Sequence, residues 1–183
     1  MIDRSKAQEI QAMVLLIICC LPSLAVAEET PVQVFQAGLF AVDVTPTEFP
    51  VIVNGYFQER TTDRATDRLM SRALVLDDGK VRLAIVVVDN LMIPRTILDQ
   101  AKLMAAKSTG IPAECMLISS THTHSAPAAM PCLGSRADPS YEQTLPGQIA
   151  KSIILANRNL TRAKIGWTAV EGPSLKCARA ECA

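Results

Sequence analysis

Two apolar runs on either side of a turn dipeptide constrain this chain more than anything else in it. Arg72-Ala73-Leu74-Val75-Leu76 and Val81-Arg82-Leu83-Ala84-Ile85-Val86-Val87-Val88 flank Asp78-Gly79. Aliphatic and β-branched residues suit a pleated, packed surface, and Asp-Gly tolerates the positive φ of a tight two-residue hairpin turn. After Leu83 the second run loses its alternation and is apolar at every position to Val88. That pattern predicts a strand buried on both faces. The run ends at Asp89-Asn90, where Asp89 reads either as a functional acid at a strand end or as a cap for the turn that follows.

The remaining elements arrange themselves around this hairpin. Val32 to Val44 reads as a first strand that leaves the sheet at Thr45-Pro46. Glu48 to Arg68 is polar and irregular, with Asn54-Gly55 as a turn signal, and reads as one long loop of the kind that often carries function. Arg64, Arg68 and Arg72 offer either a face for an anionic group or solvated charges. Pro94 to Thr109 has a helix's signature: Pro in the first turn, Ile97, Leu98, Ala101, Met104 and Ala105 on one face, and Gly110 to close the C-terminus. Cys115 to Ser120 reads as another strand, with Cys115 as a small buried hydrophobe. Ser140-Tyr141-Glu142-Gln143 has capping-box spacing and leads into a helix with Leu145, Ile149, Ile153 and Ala156 on one side and Pro146 in its first turn. Ala163 to Val170 is expected to be a last short strand, with Trp167 in the core. This order predicts an α/β fold, a layered domain with a mixed sheet and flanking helices.

Length and charge narrow the functions. A chain of 183 residues, 49% hydrophobic, makes one domain with a real core. Eighteen basic and 18 acidic side chains cancel, and no basic cluster appears, so a nucleic-acid surface is not expected. The N-terminus reads as an export signal. Arg4 and Lys6 precede an unbroken apolar stretch from Met13 to Cys20, and Ala25-Val26-Ala27 presents small residues where a signal peptidase needs them. Cleavage after Ala27 would release a chain destined for the periplasm or the exterior. The expected organisation is a signal peptide at 1–27, a domain at 28–175 and an irregular tail at 176–183. Cys115, Cys132, Cys177 and Cys182 would remain, too few for a disulfide-built scaffold, and their pairing is open.

The chain has two histidines, and they stand two apart, in Thr121-His122-Thr123-His124 just past the apolar strand 115–120. On an extended backbone residues i and i+2 share a face, so both imidazoles would project together from a strand end, where α/β sheets collect ligands. Thr121, Thr123 and Ser125 are candidates to orient the rings by hydrogen bonds. The same spacing also occurs as a solvent-facing or capped pair, and spacing alone leaves both readings open.

The surrounding heptapeptide, Thr121-His122-Thr123-His124-Ser125-Ala126-Pro127, resembles the Thr-His-Thr-His-Ser-Gly-Pro signature of the neutral/alkaline non-lysosomal ceramidases. Upstream, Ala37-Gly38, Asp43-Val44-Thr45-Pro46, Asn54-Gly55-Tyr56, Asp67 to Ala73 and Val86-Val87-Val88-Asp89 resemble that family's segments in kind and order. The resemblance implies a zinc amidohydrolase that splits N-acylsphingosine into fatty acid and sphingosine. It implies that His122 is a zinc ligand and that His124, beside the metal, positions or stabilises the reacting amide. A lipid amide substrate would bring the chain to a membrane surface; oligomeric state is not implied.

Two departures bear on this. Ala126 stands where the family has glycine, and the family's further ligands (a histidine, a glutamate and a tyrosine) lie downstream, whereas this chain has no third histidine. A catalytic zinc site normally takes three protein ligands. The expectation is therefore a fragment that is inactive alone, through a truncated or frameshifted gene, with apolar surface made to meet the missing part. Rescue by Cys132 or Cys177 is a further option for the site. The alternative is a non-enzymatic exported α/β domain that binds a lipid or a protein partner.

Overall fold

A computed structural model describes residues 33–169 of the chain. The expected export signal at 1–27, the expected tail at 176–183, Cys177 and Cys182 lie outside the described residues.

The expected hairpin is the centre of the fold. Strands β4 (Met70–Asp77) and β5 (Arg82–Val88) pair antiparallel with Ala73 opposite Val86 and Asp77 opposite Arg82. The turn centres on Gly79-Lys80, one residue beyond the Asp-Gly dipeptide: Gly79 takes φ 86°, and the Asp78 carboxylate accepts the N–H groups of Lys80 and Val81. Strand β1 (Gln36–Asp43) pairs antiparallel with β4 on the other side, and the short β7 (Thr161–Arg162) pairs with β1. From β5 the chain crosses over through helix α1 (Arg95–Thr109) and a 3-10 turn (Ala113–Cys115) to β6 (Met116–Ser120), which lies parallel to β5. The sheet order is β6-β5-β4-β1-β7, and its one parallel pair carries the helical connection that parallel strands require. Helix α2 (Pro139–Arg158) packs beside α1 and against β1 and β4. The result is the α/β layered domain with a mixed sheet that the sequence predicts.

Both helices cover the same face of the sheet. One core cluster joins Ala73, Val75, Ala84, Val86, Met116 and Ile118 of the strands to Ile97, Ala101, Leu145, Ile149 and Ile153 of the helices. Among the described residues no element covers the other face, which corrects the expectation for β5. Burial alternates along it, and Ile85 and Val87 remain exposed. The registers place Leu39, Leu74, Ile85 and Leu117 in one apolar row across four strands, with Leu39 and Leu117 at 67% and 61% exposure.

Four other expectations change. The segment Glu48–Arg68 is not one loop: β2 (Val51–Val53) and β3 (Arg60–Thr62) form a second, two-stranded sheet within it. The cap of α2 is Asp138, whose carboxylate accepts the Tyr141 N–H, so Pro139 opens the helix and Pro146 lies inside it rather than in its first turn. Cys115 ends the 3-10 turn, half-buried, rather than sitting in the strand. The last strand stops at Arg162, and Trp167 is 88% exposed rather than in the core. Among the described residues, no helix is long and apolar enough to cross a membrane.

Candidate functional site

Strand β6 delivers the two histidines to the carboxyl end of the parallel β5–β6 pair, but not on an extended backbone. The strand ends at Ser120, and His122 adopts φ 64°. For a residue with a β-carbon this left-handed conformation is costly, about 1–3 kcal/mol, and persists only where surroundings enforce it. Here they do. Thr121 N–H donates to the Val88 carbonyl (3.0 Å), and His122 N–H donates to the Asn90 carbonyl (2.9 Å). Asn90 is fully buried; its side-chain amide donates to Pro127 O (3.1 Å) and its amide oxygen accepts Met92 N–H (3.2 Å). The turn after β5 thus grips the histidine loop at two points, His122 and Pro127.

The kinked loop brings the rings together. Their centroids are 5.3 Å apart at an interplanar angle of 85°. His122 Nδ1 lies 3.2 Å from the Leu91 carbonyl, and His124 Nδ1 lies 3.2 Å from the Gly55 carbonyl. A carbonyl can only accept, so each Nδ1 is the donor, and in the neutral ring Nε2 then keeps the lone pair. That is the tautomer a metal ligand or a general base needs, fixed by a partner on the far nitrogen. The hydroxyls expected to orient the rings do not: Thr123 Oγ1 instead accepts the Ser125 N–H (3.3 Å). Main-chain carbonyls from two distant segments take that role.

The small sheet closes the other side of the site. Ala128 N–H donates to Ile52 O (2.8 Å), and Asn54 N–H donates to Ala126 O (3.2 Å). Fully buried Asn54 also donates from its side chain to Met130 O (3.0 Å). Further along, Arg136 pairs with both Glu59 carboxylate oxygens, which holds the Glu59 pKa at about 2 through hydrogen bonds from the Arg136 side chain and main chain. The Arg60 guanidinium sits over the Tyr56 ring, 3.2 Å from its centroid.

Between the small β2–β3 sheet and the histidine loop lies a cavity of about 460 Å³. His124, Thr123 and Ser125 line it together with Asp89, Arg64 and an apolar wall of Phe49, Val51, Val53 and Leu69. His122 is not one of its lining residues. Asp89 accepts Met70 N–H (2.9 Å) and the Arg72 guanidinium (2.8 Å), so it ties the start of β4 and answers Arg72 at the same time. Arg68 pairs loosely with Asp43 (3.7 Å) at the surface. Of the three arginines, Arg64 is the one on the cavity wall.

The donor set meets part of what a zinc ion requires. Two imidazoles on one tetrahedral zinc, with Zn–N near 2.0–2.1 Å, hold their centroids roughly 5 Å apart. The 5.3 Å spacing fits a shared cation, or a cation on His122 with His124 beside it. The set is incomplete: among the described residues no group of three or more His, Cys, Asp or Glu side chains is arranged to hold a metal. Cys132, which is among them, completes nothing.

The fold has solved counterparts. A crystal structure of neutral ceramidase from Pseudomonas aeruginosa matches with a TM-score of 0.62 and 24% identity over 71% of this chain. A ceramidase complexed with C2 matches with a TM-score of 0.61 and 24% identity over 71% of this chain. At that identity the likeness is one of fold. This chain spans 22% of the length of each. No protein-family model matches the sequence, and no curated protein matches it.

Proposed function

We propose that this chain is an exported, ceramidase-like piece of a zinc amidohydrolase active centre, with His122 as a metal ligand and His124 as the catalytic histidine beside it. The observation that carries the reading is the pair of Nδ1-anchored imidazoles at 5.3 Å, set at the mouth of a β-strand in a fold shared with neutral ceramidases. Bound zinc would supply Lewis-acid chemistry, making a water nucleophilic near neutral pH and offsetting charge on an amide oxygen. His122 would hold the ion through Nε2, its ring braced by the Leu91 carbonyl. His124 would meet the reacting amide from the cavity wall, taking or returning a proton at Nε2. The apolar side of the cavity suits a hydrocarbon chain, and the substrate class is a lipid amide such as N-acylsphingosine. A single histidine ligand holds zinc weakly where a catalytic site takes three protein ligands, so the chain alone is proposed to be inactive.

The test is completion. A polypeptide bearing the additional ligands, joined to or mixed with this chain, restores hydrolysis of an N-acyl lipid with zinc, and His124→Ala removes that gain. Failure on every N-acyl lipid and amide tried refutes the enzymatic reading.

The open apolar row Leu39–Leu74–Ile85–Leu117 favours a second reading, a binding domain that engages a lipid or protein through its bare sheet face. In that case binding survives His122→Ala and is lost on placing charge in the row.

A further inference from the structure

We propose that Gly55 is a positioning residue for His124: the turn after β2 offers the imidazole a stretch of main chain with no side chain, and this contact fixes the ring. The inference rests on the proposed role of His124 for its consequence, and on geometry alone for its content. Gly55 has φ 95°, where side chains are rarely tolerated. A β-carbon there would stand 2.5 Å from His124 Nδ1 and 2.9 Å from its Cγ. Either the turn or the ring would have to give way.

The turn cannot give way cheaply. The Asn54 side chain accepts the Gly55 N–H (2.9 Å) and donates to Met130 O (3.0 Å). Its own N–H is bonded to Ala126 O (3.2 Å), and Gly134 N–H is bonded to Tyr56 O (3.2 Å) just beyond. The turn is therefore stitched to the segment that carries the histidine, and the ring is the part free to leave. On leaving, it gives up the Gly55 carbonyl, the bond that puts the proton on Nδ1 and keeps Nε2 open. His122 needs no such glycine, because its carbonyl partner belongs to Leu91.

Gly79 is the natural control. It has nearly the same φ, 86°, but the atoms nearest to a β-carbon there belong to Gln33, none closer than 3.4 Å, an ordinary contact. Gly55→Ala and Gly79→Ala thus share the backbone penalty and differ in what the methyl touches. The experiment is long-range proton–nitrogen correlation of the histidine rings in the metal-free full chain at about pH 8.5, above the usual imidazole pKa of about 6.5. The wild type should show His124 as the Nδ1–H tautomer. Gly55→Ala should move the His124 ring nitrogens toward averaged-tautomer positions and leave His122 in place. Gly79→Ala should leave both rings unchanged. An Nε2–H tautomer for His124 in the wild type overturns the proposal by itself, even if Gly55→Ala does not fold. So does a Gly55→Ala chain whose His124 signals match the wild type. The readout contains neither metal nor substrate, so a chain that shows the Nδ1–H tautomer yet never takes zinc refutes the proposed function and leaves this inference standing.

Discussion

Replacing Asp138 by alanine should destabilise the domain by about 2–4 kcal/mol. The carboxylate has two distinct duties. One oxygen caps α2 by accepting Tyr141 N–H (3.1 Å) and also takes the Ser140 hydroxyl (2.8 Å). The other accepts the N–H of Ile52 in β2 (3.0 Å), joining the small sheet to the helix start. Loss of an N-cap costs about 1 kcal/mol. An N–H left without a partner in a half-buried place adds about 1–3 kcal/mol. Burial alone would raise the Asp138 pKa, but the donations from Ile52, Ser140 and Tyr141 outweigh it and hold the carboxyl below its usual value. A carboxyl whose pKa is lower folded than unfolded stabilises the fold above the unfolded value, and that contribution is lost as pH falls through the lowered one. Urea denaturation followed by circular dichroism should therefore show the full difference between wild type and Asp138→Ala at neutral pH, narrowing below about pH 4. Asp138→Asn should lie between them, since its amide oxygen still caps the helix while its NH2 is the wrong partner for Ile52. A loss under about 1 kcal/mol, or a gap that does not narrow in acid, refutes the two-duty account.

Two more outcomes follow from the packing. Ser152 donates to Ile149 O (2.7 Å), which leaves Ser71 to donate to Ser152 across 3.0 Å in the core. Ser152→Ala should cost about 1–3 kcal/mol by stranding Ser71, and the double replacement by alanine should cost less than the two single losses added together in a denaturation cycle. On β6, Leu117→Ser on the open face should change stability by no more than about 0.5 kcal/mol, while Ile118→Ala on the covered face should cost about 2–5 kcal/mol. Equal costs would mean that something covers the bare face of the sheet.

Local patterns carried the parts of the fold that local chemistry decides. The Asp78-Gly79 hairpin, the Ile97–Ala101–Ala105 face of α1 with its Gly110 cap and the Leu145–Ile149–Ile153 stripe of α2 were legible in the sequence, whereas Met104, expected on that α1 face, is 44% exposed. Burial is a property of what lies above a strand, so the unbroken Ile85–Val88 run could not say that only one face is covered. The capping-box spacing at Ser140 concealed Asp138, whose value lies partly in a bond to Ile52, 86 residues away. Within Glu48–Arg68, polarity hid a short hairpin whose strands have three residues each. At the site, the histidine pair was legible but its geometry was not: a left-handed His122, not an extended strand, brings the rings together. The groups that orient them, the carbonyls of Leu91 and Gly55, belong to the main chain and have no residue signature, save that Asn54-Gly55 announces a turn.

In the proposed site His122 binds a divalent cation and His124 stands beside it. Crystals of the chain soaked in zinc and recorded at the zinc absorption edge test it most directly. The account predicts an anomalous peak about 2.0–2.1 Å from His122 Nε2, within reach of the His124 ring, that disappears in His122→Ala. A peak on Nδ1 of either ring, or zinc bound elsewhere with the histidine pair bare, would contradict it.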